Sequence, residues 1–115
     1  MKVLIVDDNE DVTYSLKKSL ETISSEYEIS VAHSGKECLE KVKQDTPDIV
    51  LLDIMMPDMD GWEVEDKLQI EHIPVLFITG KANMLDESKL RKIDYLMKPI
   101  EVKELEARIR QILKS

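Results

Sequence analysis

The sequence is poor in the residues that carry many common chemistries. It holds one cysteine, Cys38, so no internal disulfide can form, and no Cys/His spacing of a metal site is present. Its three glycines form neither a G-x-G-x-x-G turn nor a Walker lysine loop, which removes the usual nucleotide-binding signatures. No apolar run has the length of a signal peptide or a membrane span; the N-terminal one covers only residues 3–6 before it meets Asp7. Positive charge is in deficit as well. With 16 Lys and Arg against 24 Asp and Glu the net charge is −8, which disfavours unaided binding to nucleic acid or to an anionic membrane. These absences point to a cytoplasmic chain in which Cys38 is a small packing residue.

What is present is a strict alternation of two patterns. The 115 residues suit one domain, 1–115, and 43% hydrophobic residues suffice for its core. Strand-length apolar runs cover residues 3–6, 49–52 and 75–78, with a weaker alternating run at 29–32 and a short one at 95–97. Continuous runs rich in Val, Ile and Leu are the mark of strands covered on both faces. Between them lie helical patterns. Val12, Leu16, Leu20 and Ile23 share one face, and so do Cys38, Leu39 and Val42. Near the C-terminus Val102, Leu105, Ile109 and Ile112 repeat at helical spacing, with Glu104–Arg108 and Glu106–Arg110 pairs expected on the exposed side. Ser34 is the expected N-cap of its helix, with Glu37 in the capping-box position. Five strands and five helices in alternation predict a parallel sheet covered on both faces, the fourth helix being short and near 85–92.

The chemistry gathers where the strands end. Asp7-Asp8 follows the first, Asp53 the third, Thr79-Gly80 the fourth and Lys98-Pro99 the fifth. Parallel strands bring all of these to one edge of the sheet, where open parallel sheets bind ligands. Singly, each is ordinary: an Asp after a strand is a turn residue or cap, a Thr reflects β-propensity, and a Lys is solvated. Together they are not. Three carboxylates repel one another unless a cation sits among them, and oxygen ligands open to phosphate favour Mg²⁺. A carboxylate attacks phosphorus to give an aspartyl phosphate, and an ammonium and a hydroxyl then neutralise the phosphoryl oxygens.

The segments Val6-Asp7-Asp8-Asn9, Leu51-Leu52-Asp53-Ile54-Met55-Met56-Pro57-Asp58-Met59-Asp60-Gly61, Ile78-Thr79-Gly80 and Tyr95-Leu96-Met97-Lys98-Pro99 resemble the receiver domain of two-component response regulators. The resemblance covers nearly the whole chain. It implies a flavodoxin-like (βα)5 fold, a doubly wound five-stranded parallel sheet of order 2-1-3-4-5. It implies that Asp53 is the phosphoacceptor, with a histidine kinase or phosphotransfer protein as donor. Asp8 would be a direct Mg²⁺ ligand, Asp7 a ligand through water, and Met55 the residue whose backbone carbonyl coordinates the metal. Thr79 and Lys98 would contact the phosphoryl group, Lys98–Pro99 would be cis, and Tyr95 would follow Thr79 inward. For Tyr95 a plain half-buried strand residue is the other reading.

Departures from the family pattern concentrate late in the chain. The stretch from Thr79 to Lys98 is shorter than usual, and Lys92-Ile93-Asp94 stands where Gly-Ala is customary. Input chemistry is thereby separated from an output face that is expected to be remodelled. Trp62 is read as an anchor against the third strand or, with Glu65, as a docking spot. Met55 and Lys81 occupy positions that resemble those tuning dephosphorylation; a bulky Met55 predicts a long-lived phosphoryl state. No effector follows Ser115 in this sequence, so output is expected through another protein, with the chain as monomer or phosphorylation-dependent dimer, or through a larger chain from which this one was cut. Two alternatives stand beside this reading. A haloacid-dehalogenase-like phosphatase would need a second Asp where Met55 lies, and a degenerate scaffold would have no use for the full set Asp7, Asp8, Asp53, Thr79 and Lys98.

Overall fold

The computed structural model describes residues 1–80, 88 and 93–114. Its elements are β1 (Lys2–Val6), α1 (Glu10–Ile23), β2 (Glu28–Ala32), α2 (Gly35–Gln44), β3 (Ile49–Asp53), α3 (Gly61–Ile70), β4 (Val75–Thr79), β5 (Asp94–Met97) and α4 (Val102–Lys114). The short helix expected near 85–92 lies outside the described residues, apart from Ser88. All strand pairs are parallel, in the order β2-β1-β3-β4-β5.

The continuous apolar runs conceal a period of two. Leu4, Val6, Val50, Leu52 and Phe77 face one layer, where they meet Cys38 and Val42 of α2 and Val64 and Leu68 of α3. Val3, Ile5, Leu51, Leu76, Ile78 and Leu96 face the other, against Leu16 and Leu20 of α1 and Leu105 and Ile109 of α4. Every residue of β3 is buried, whereas edge strand β2 alternates and buries only Ala32 fully. Full burial of each large aliphatic side chain stabilises the fold by roughly 1.5–3 kcal/mol before entropy is counted.

Local signals mostly agree with this packing. Ser34 accepts the Glu37 amide at 3.0 Å as the N-cap of α2, while the Glu37 carboxylate turns to Lys41 at 3.7 Å. Asn9 and Asp60 cap α1 and α3 in the same way. On α4 the Arg110–Glu106 pair forms at 3.4 Å, but Arg108 reaches Asp94 on β5 rather than Glu104. Ile23, the last residue of α1, is 38% exposed rather than part of the buried face. Trp62 is half-buried against the core layer that includes Val50 and Leu52 of β3, and its ring meets that of Phe77 of β4 with centroids 5.1 Å apart. Cys38 is fully buried, and burial pushes its thiol up to about 12.

The turn after α3 closes without glycine. His72 has φ 58°, its amide donates to the Gln69 carbonyl, and the Ile73 amide donates to the Leu68 carbonyl. That is a Schellman arrangement, sealed by Leu68 and Ile73 in the same core layer.

Candidate functional site

Strand register carries the site. Asp7 follows the last residue of β1, Asp53 ends β3 and Thr79 ends β4 beside Met97. The Lys98 amide extends that last ladder by donating to the Thr79 carbonyl at 2.8 Å, and the Lys98–Pro99 bond is cis. Strand order reverses between β1 and β3, so Asp7 and Asp53 flank the switch point at which sheets of this type take ligands.

Asp7, Asp8 and Asp53 offer ligand oxygens that all lie within 4.8 Å of one another. Asp7 and Asp53 are buried and Asp8 is exposed, which leaves the cluster open to solvent on one side. Lys98 spans it: its Nζ lies 2.8 Å from Asp7 Oδ2 and 3.6 Å from Asp53 Oδ2. The backbone contributes as well. The Asn9 amide donates to Asp7 Oδ1 at 2.9 Å, and the Met55 amide donates to Asp53 Oδ1 at 3.2 Å.

These contacts set the electrostatics. Burial raises the pKa of Asp53, and the Asp7 and Asp8 charges push it the same way; Lys98 and the Met55 amide oppose them without prevailing. For Lys98, burial favours the neutral amine, but the hydrogen bond to Asp7 and the charges of Asp53 and Asp7 outweigh it and raise its pKa. The pocket therefore holds excess negative charge that one lysine only partly offsets. An all-oxygen donor set with an exposed side fits a hard divalent cation that keeps part of its water shell.

Each residue singled out in the sequence takes a definite place. Asp7, Asp8, Asp53 and Lys98 converge, and Thr79 is buried at the adjoining strand end. The Met55 side chain is 51% exposed, while its amide is bound to Asp53. Tyr95 is half-buried against the α2/α3 layer. Lys81 lies outside the described residues. Sequence inspection missed Asn9, which both caps α1 and fixes Asp7, and Asp58, which binds the first turn of α2. Asn9 carried a signal, being an N-cap residue type just after a strand. Asp58 carried none, since its partners lie 22 and 23 positions away.

Gly61 explains how the segment after Asp53 can turn back into α3. A Cβ there would lie 2.7 Å from the Ile54 Cα and 2.9 Å from the Asp53 carbonyl oxygen. The Gly61 amide donates to the Ile54 carbonyl at 2.8 Å, so the loop closes at its base.

Fold and site together define a flavodoxin-like α/β domain with an acidic, lysine-bridged pocket at the switch point of its sheet. Comparison with known proteins names the family: the chain belongs to the response regulator receiver domains of two-component systems, whose pattern matches residues 3–110. A probable cyclic di-GMP phosphodiesterase of Vibrio cholerae is 40% identical over 120 residues, covering 98% of this chain and 26% of its own. The alkaline phosphatase synthesis transcriptional regulatory protein PhoP of Bacillus subtilis is 36% identical over 118 residues, covering 98% of this chain and 48% of its own. This chain thus spans about a quarter of the first relative and about half of the second. Among solved structures, a CheY-like receiver domain protein from Methanospirillum hungatei superposes with a TM-score of 0.85 at 30% identity, covering 98% of this chain and 93% of that one. No helix among the described residues is long and apolar enough to cross a membrane.

Proposed function

We propose that this receiver domain accepts a phosphoryl group on Asp53 from the phosphohistidine of a histidine kinase or phosphotransfer protein, in a Mg²⁺-dependent reaction. The observation that carries the reading is the cluster itself: three carboxylates with ligand oxygens within 4.8 Å, spanned by the Lys98 ammonium. Asp8, Asp53 and the Met55 carbonyl would hold the ion directly and Asp7 through water. Bound there, Mg²⁺ supplies positive charge to the phosphoryl oxygens.

The chain's own residues do the rest. An Asp53 carboxylate oxygen attacks phosphorus in line, the new O–P bond forms as the P–N bond to the donor imidazole breaks, and the imidazole leaves with the bond pair. Lys98 trades part of its pairing with Asp53 for a phosphoryl oxygen, and the Thr79 hydroxyl donates to another. Drawing Thr79 inward biases a two-state equilibrium in which Tyr95 moves with it, and a protein-binding surface changes. Met55, exposed beside Asp53, restricts the approach of hydrolytic water and lengthens the phosphoryl state.

An aryl phosphate assay with Mg²⁺ tests the reading against a phosphatase. A phosphoacceptor can turn over no faster than its own slow dephosphorylation, so little aryl alcohol is expected. Fast multiple turnover by the wild type would contradict the proposal, whether or not it survives Asp53→Ala.

A further inference from the structure

The seven-residue path from Ile54 to Asp60 is pinned at its base by Gly61, and its far side is pinned elsewhere. Asp58 Oδ1 accepts the Gly35 amide and Asp58 Oδ2 the Lys36 amide, each at 3.2 Å. These are the first two residues of α2, while Ser34 takes the third amide through Glu37. The contact is steric as well as polar: a Cβ on Gly35 would come within 2.9 Å of Met59 Cβ and 3.0 Å of Val64 Cγ2. Burial favours the protonated Asp58, but the Lys36 and Gly35 amides outweigh it and hold the carboxyl below its ordinary range. A charged, two-oxygen clamp thus ties the β3–α3 loop to a second element on the α2/α3 layer.

We propose that Asp58 is a positioning residue for the phosphoacceptor site, holding the β3–α3 loop against α2 so that the Met55 carbonyl is already in place for Mg²⁺. The inference rests on the metal reading given above. Its physical basis is preorganisation. A backbone ligand on a loose loop must be ordered when the ion binds, whereas one on a clamped loop has been ordered by folding. Residues one shell behind metal ligands alter affinity for this reason. The competing account is that Asp58 merely caps α2, in which case any lost cap on that helix would act alike.

The test is a Mg²⁺ titration of the full chain, followed by the fluorescence of Trp62 and by the Mg²⁺-induced rise in melting temperature. Wild type, Asp58→Ala, Asp58→Asn and Ser34→Ala are compared, with circular dichroism checking that each is folded. Asp58→Ala should raise the Mg²⁺ midpoint about tenfold, the lower end of what losing a residue that supports a metal ligand costs. Asp58→Asn, which keeps one acceptor oxygen, should fall between it and wild type. Ser34→Ala should lower stability yet leave the midpoint within about twofold of wild type. An unchanged midpoint in Asp58→Ala and Asp58→Asn would overturn the inference, and so would an equal shift in Ser34→Ala. A wild type silent to Mg²⁺ in both readouts would overturn the metal reading and this inference with it.

Discussion

Two stretches of the same strands, one residue apart, do opposite things. Leu52, Val6 and Ile78 are buried at 0–3% exposure, and so are their successors Asp53, Asp7 and Thr79 at 1–7%. Burial hardly changes across that step, whereas the chemistry turns from aliphatic to ionisable or hydroxylic. The sheet interior gains stability from every residue it buries. The carboxyl edge accepts buried like charges that a lysine only partly offsets. The domain therefore keeps its apolar core and its acidic cluster in adjacent rows of one sheet. Substitutions in the two rows should have opposite signs.

The largest effect is expected in the apolar row. Leu51→Ala deletes a fully buried side chain between β1 and β4 and should cost about 2–5 kcal/mol in denaturant unfolding, by the same amount with and without Mg²⁺. Next comes the metal. Mg²⁺ at ten times its dissociation constant should add about 1.4 kcal/mol and raise the melting temperature accordingly. Asp8→Asn should abolish that response, since it removes the exposed member of the cluster. An equal rise in both proteins would erase the distinction between the rows.

A smaller effect, of reversed sign, is expected at Asp53. Burial and the Asp7 charge raise its pKa on folding, so the folded chain holds this proton more tightly than the unfolded one. Its contribution to stability is therefore greatest at acid pH and falls as pH climbs from the unfolded value through the raised folded one. Asp53→Asn should flatten that segment of the pH profile. Above it the variant should be more stable than wild type without metal, by about 1 kcal/mol. Lys98 works on the alkaline side: its raised pKa means the pairing is intact at neutral pH and is lost only as pH rises through the folded value. Smallest of all, His72→Gly relieves a left-handed residue far from the site and should stabilise by about 0.5 kcal/mol, leaving Mg²⁺ affinity unchanged.

Much of this contrast was legible in the sequence. The runs ending in Asp7, Asp53 and Thr79 display the boundary between the rows directly, and parallel strands guarantee that the ends meet. The N-cap at Ser34 is a local signal and behaves as one. What stayed hidden is pairing at a distance. Lys98 and Asp7 are 91 positions apart, and nothing local says that the ammonium bridges that particular carboxylate. The ring pair between Trp62 and Phe77 of β4 likewise joins residues 15 positions apart and has no local signal. The Schellman turn at His72 lacks the glycine that normally marks it, so only the backbone reveals it. On α4, Arg108 had two carboxylates in reach, and tertiary packing chose Asp94 over the one four residues away.

The central claim is that Asp53 is the one residue of the acidic row that becomes covalently modified. Intact-mass analysis after incubation with acetyl phosphate and Mg²⁺ addresses it most directly, comparing wild type with Asp53→Ala. The account predicts a gain of one phosphoryl group in wild type, none in Asp53→Ala, and none in wild type when the metal is chelated. A phosphoryl gain of equal extent in Asp53→Ala would contradict it.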